Sequence, residues 1–164
     1  MVALLTELQG GLKAESAAVQ DLLEVLEAER EILLKPGVDG LDVVVARKNA
    51  MVMQVSELTR QRYSLLAASG FSSDEDGMKA CVSGFSGDPA CDEVEHAWKA
   101  LGAIAQKVKK CNEFNGQLVS RLLARNQDLL SVFGMATQRG GGLYGPNGRA
   151  GQFISPIRRD FSTG

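Results

Sequence analysis

LLTELQGGLKAESAAVQDLLEVLEAEREILL, residues 4–34, followed by KPGVDG at 35–40, is the stretch on which the fold turns. Leu5, Leu8, Leu12, Val19, Leu22, Leu26 and Leu33 recur three and four apart, with Glu15 and Glu29 taking the remaining slots. That spacing is a heptad seam and predicts one long helix over about 3–34. Gly10 and Gly11 weaken its first turns, and Lys35-Pro36-Gly37 ends it because the residue before proline avoids helical backbone. Asp39 reads as the cap of a second helix over about 40–68, whose seam is Leu41, Val44, Lys48, Met51, Val55, Leu58, Arg62 and Leu65 before Ser69-Gly70 stops it. A connection this short makes the two helices antiparallel neighbours.

Residues 70–88 break into Ser, Gly and Asp around Cys81, Val82 and Phe85 and read as an irregular linker, with at most a weak helix over 74–81. Asp88-Pro89 looks like a cap followed by proline at the first helical position. A third helix over about 89–133 follows, with a seam through Ala97, Leu101, Ile104, Val108, Cys111, Asn115, Leu118, Leu122, Arg125, Leu129 and Val132, and Gly134 as its stop. Residues 138–164 are rich in Gly and Arg, have no period, and read as a flexible tail. The expectation is an all-α protein: an antiparallel helical hairpin packed with a long third helix in a coiled-coil-like bundle over 1–137, then the tail. Leu143, Tyr144, Phe153, Ile154, Ile157 and Phe161 are apolar residues that a purely solvating tail does not need; they suit a recognition segment, or packing against the bundle.

Charge and composition exclude several functions. The chain has 164 residues, with 20 acidic against 18 basic side chains, so no whole-molecule field draws it to nucleic acid. The first 34 residues carry seven acids against Lys13 and Arg30, while Arg139, Arg149, Arg158 and Arg159 face Asp160 alone at the other end. Three cysteines without a Cys-x-x-Cys pair indicate neither a disulfide framework nor a zinc finger, and suit a reducing cytoplasm. No signal peptide and no apolar run of membrane-spanning length is visible. Glu93 and His96 have the spacing of one half of a di-iron motif, but such sites need the motif twice. A single histidine also leaves too few bases for a nucleophilic triad, so neither catalysis nor a cofactor is expected. Lys107, Lys109 and Lys110 read as a solvated helix face.

Asn112, Asn115, Arg125 and Asn126 interrupt the third seam where a closed core would take Leu. They either set register, as polar seam residues do in coiled coils, or line a groove that bonds the backbone of a bound segment. In the second reading Leu118, Leu122, Leu129 and Phe133 hold the segment's side chains while Asn115 and Asn126 bond beside them.

The residues resemble those of the FlgN-type flagellar export chaperones. LLEVLEAEREILL at 22–34 and VARKNAMVMQVSELTRQRYSLLAASG at 45–70 are similar to that family's first two helices. CNEFNGQLVSRLLARNQDLLSVF at 111–133, with its Asn-x-x-Asn-Gly and Arg-Asn-Gln steps, is similar to its last helix, and LYGPNGR at 143–149 to the turn beyond. Residues 71–92 and the final SPIRRDFSTG match little. The resemblance implies a cytoplasmic chaperone that binds the C-terminal segments of hook-associated (hook-filament junction) proteins, stops them assembling early and delivers them to the export gate, docking there through Leu143, Tyr144 and Gly145. Coiled-coil seams allow a monomer or a homodimer. The alternative of another class is a structural coiled-coil adaptor or oligomerisation module, which would satisfy its whole third seam without a partner.

Overall fold

The computed structural model describes residues 2–139, with side chains from Ala3 to Gly134. Among the described residues four helices follow in order: α1 Val2–Leu34, α2 Leu41–Ala68, α3 Glu75–Gly84 and α4 Pro89–Arg139. The chain divides into two compact units, Met1–Arg121 and Leu122–Gly164.

The first unit is built on α1. Its seam residues Leu5, Leu8, Leu12, Val19, Leu22, Leu26 and Leu33 are all buried, as the periodicity predicts. At one end Leu5, Leu8 and Leu12 pack in a single cluster with Leu66 of α2, Met78 and Cys81 of α3, and Cys91, Val94 and Leu101 of α4. Toward the other end Leu22, Leu23 and Leu26 pack with Cys111 of α4 and Met51 and Val55 of α2.

Polar seam residues set the register. Glu15 accepts hydrogen bonds from Thr59 at 2.7 Å and from Nε of Arg62 at 2.9 Å, and Glu29 accepts from Lys48 at 2.6 Å. Positions rise on α1 as they fall on α2, so the hairpin is antiparallel. Asn115 of α4 donates to the Leu26 carbonyl and to Glu29, both at 2.8 Å, and Gln9 of α1 donates to Glu93 of α4. Here positions rise together, so α4 runs parallel to α1. A slip of one turn between α1 and α2 would strand the buried carboxylates of Glu15 and Glu29 without their cations, a fault more costly than a leucine mismatch. Burial pulls the Arg62 guanidinium toward its neutral form, but the hydrogen bonds and charge of Glu15 overcome this and hold it fully protonated.

Three expectations are corrected. Asp39 does not cap α2: the capping residue is Gly40, with φ 79° and no side-chain bond, because a tight turn from Val38 to Leu41 starts the helix one residue later. The left-handed backbone of Gly37 and Gly40 makes this reversal possible within the connection between α1 and α2. Residues 70–88 are not simply a linker, since α3 occupies 75–84 and buries Met78 and Cys81 completely. Asp74 caps α3 by accepting from Gly77 N at 2.8 Å, and Phe71 meets Phe85 edge to face at 6.2 Å. Finally, Gly134 does not stop α4, which continues to Arg139. Its start is as the sequence indicates, with Asp88 accepting from Ala90 N at 2.9 Å ahead of Pro89.

Candidate functional site

Along α4 the environment of the seam changes. Within the first unit Val94, Leu101, Cys111 and Asn115 are buried, and Ile104, Val108 and Leu118 are partly so. Asn115 is used by the fold: both of its donated bonds go to α1, which is the register-setting role of a polar seam residue.

The second unit shows a different pattern. Its described residues belong to α4 alone, and of them only Leu122 is half-buried. Leu123, Leu129, Leu130, Val132 and Phe133 are all exposed, Leu130 at 71% and Phe133 at 67%, and Asn126 is exposed beside them. Leu122, Asn126, Leu129 and Phe133 recur at three- and four-residue steps and share one face of the helix. That many exposed apolar side chains within about three turns is more than the scattered single leucines of an ordinary surface. Of the residues assigned to a segment-binding groove from sequence, these four lie in the second unit, whereas Asn115 and Leu118 lie in the first. Leu143, Tyr144 and Gly145, assigned to gate docking, lie outside the described residues.

The buried ionisable side chains of the first unit, Glu15, Glu29 and Arg62, have partners within it. Burial raises the thiols of Cys81, Cys91 and Cys111 above their ordinary range, so at neutral pH they are neutral rather than nucleophilic. Cys91 donates to the Val82 carbonyl at 3.2 Å, tying α4 to α3. Glu93 of the half di-iron motif is bonded to Gln9, and His96 is exposed beside it. Among the described residues no three metal-ligating side chains gather, and no helix is long and apolar enough to cross a membrane.

Sequence reading did not anticipate that Glu29, Lys48 and Asn115 converge from three helices. The signal was present as three polar residues in three separate seams, but which of them meet depends on how the helices are paired.

The molecule is an all-α bundle with an exposed leucine-rich stretch on its last helix. The family model described as FlgN protein matches residues 1–152, and the chain belongs to that family of flagellar export chaperones. Membership implies binding of flagellar proteins. Comparison with curated proteins gave no match, and comparison with solved structures gave none.

Proposed function

We propose that this protein is a cytoplasmic, non-enzymatic chaperone of flagellar type III secretion that binds the C-terminal segments of hook-associated proteins and hands them to the export gate. The observation that carries this is the stripe of α4 in which half-buried Leu122 is followed by exposed Leu129 and Phe133, with Asn126 beside it. An apolar helix face suits a client segment that must be kept from its own kind: the client's apolar face is covered and cannot assemble. Docking at the gate is assigned to Leu143, Tyr144 and Gly145 on the strength of the resemblance.

Calorimetry with a hook-associated protein's C-terminal peptide tests the client site. Burying a leucine side chain is worth roughly 1.5–3 kcal/mol, so Leu122→Ala or Leu129→Ala should weaken binding about tenfold or more. Asn126→Ala should cost less. Folded variants that bind like the parent would remove the client from this face. The same stripe would also serve an oligomerisation module, and sedimentation across a range of concentrations separates the two: a chaperone's association state should change on adding client, whereas a module's stripe should already be closed by copies of itself.

A further inference from the structure

The basic run of α4 meets α2 where the first unit is open. Leu22 and Leu26 of α1 floor a groove of about 240 Å³ walled by Val52 of α2 and Val108 of α4, with Lys48 and Lys109 on opposite rims. Leu26 is fully covered, whereas Val52 is 46% exposed. α1 joins both neighbours beneath the groove through Glu29, by Lys48 on one side and Asn115 on the other.

Its charge is one-sided. Residues 43–56 of α2 contain Arg47 and Lys48 and no acid, and residues 100–112 of α4 contain Lys107, Lys109 and Lys110 and no acid. No carboxylate lines the groove, and Glu29 beneath it is already engaged. Lys109 makes no ion pair among the described residues. Lys107 and Lys110 line the opposite flank of α4, beside Glu27 and Arg30, so the uncompensated cation of the groove is Lys109.

We propose that this groove is a docking surface for an acidic amphipathic helix of a partner protein, its apolar face on Val52 and Val108 above the covered Leu22 and Leu26, and its Asp or Glu side chains beside Lys48 and Lys109. A helix lying between two others over a third follows the packing of a four-helix bundle. The chain's own residues 138–164 are a poor occupant, since four arginines face one aspartate there and would set cation against cation. A lipid surface is a poor one as well, because the apolar floor is recessed between helices. The surface lies wholly in the first unit and does not depend on the client site assigned to distal α4.

The probe is a labelled synthetic helix of about five turns with leucine at heptad a and d positions and glutamate elsewhere, used with the full chain below the peptide's self-association range. Fluorescence anisotropy should show binding that weakens with added salt and falls about tenfold on Lys109→Glu, while Leu129→Ala leaves it unchanged. The same helix with lysine for glutamate should bind at least about tenfold less well. Val52→Asp, verified as folded by circular dichroism, should abolish the contact. The proposal is overturned if the acidic helix does not bind, if both helices bind alike, or if Lys109→Glu has no effect. It is also overturned if phosphatidylglycerol vesicles capture the protein with the same Lys109 dependence, or if sedimentation shows a dimer that Lys109→Glu dissociates.

Discussion

Gly77 has no room for a side chain. A Cβ there would stand 1.9 Å from the Ser72 carbonyl oxygen, in the turn where Ser72 donates to Asp74 and Asp74 accepts from Gly77. Gly77→Ala should therefore force the cap of α3 apart and cost about 1–3 kcal/mol, read as a lowered denaturation midpoint. Gly10 is the opposite case: it is exposed within α1 with nothing within 4 Å of the missing Cβ, so Gly10→Ala should stabilise by about 0.5–1 kcal/mol. Asp74 carries a pH dependence. Its hydrogen bonds from Ser72 and Gly77 hold the carboxyl below its ordinary value. Because the folded value is the lower one, its contribution is fully present above the ordinary carboxylate range, about pH 3.9, and is lost as pH falls through the folded value. Amide exchange on acidification should thus show α3 losing protection in a way that Asp74→Asn removes. The cysteines offer a further check. Cys81 and Cys91 are buried neutral thiols, so iodoacetamide should label them in the native protein far more slowly than in denaturant, and labelling as fast as in denaturant would mean that α3 is open.

At the scale of elements the informative contact is Glu15 with Arg62, a salt bridge with both side chains nearly inaccessible. Arg62→Ala leaves Glu15 buried without its cation and should cost about 3–5 kcal/mol, whereas Glu15→Leu with Arg62→Met should cost far less or even stabilise. If the double variant is stable but loses a single well-defined register by amide NMR, the pair specifies the α1–α2 alignment; if it remains uniquely folded, the leucine seam suffices. Both glutamates occupy seam slots, two heptads apart, so their places were legible in sequence. Their partners were not: seam position says that a side chain faces another helix, and leaves open which residue of which helix comes opposite. The same holds for α3. Met78, Cys81, Val82 and Phe85 stand at i, i+3, i+4 and i+7, a helical pattern diluted by Ser, Gly and Asp, and only contact with Leu5 and Leu66 makes that short helix part of the core.

For the whole molecule, removing residues 138–164 takes only the last two residues of α4 from the described helices, so circular dichroism of the truncated chain should match the parent and its melting should be nearly unchanged. A collapse of helicity would place part of the removed segment in the core. The all-α class, the hairpin and the helix bounds near 34, 41, 68 and 89 were legible because they depend on local features: heptad spacing, a proline after Lys35, glycines at the turns and a capped proline at 89. The last helix shows where local pattern stops being enough. Its three- and four-residue period continues from Leu101 to Val132, yet Asn115 is sealed against α1 while Leu129 is exposed. Periodicity records that a face is apolar, and so the sequence by itself determined the stripe. Whether the surface that covers it belongs to the same chain is decided by elements distant in sequence, and only the tertiary structure, in which α1 has paired with α2 and the first half of α4, separated the buried part of the stripe from the exposed part.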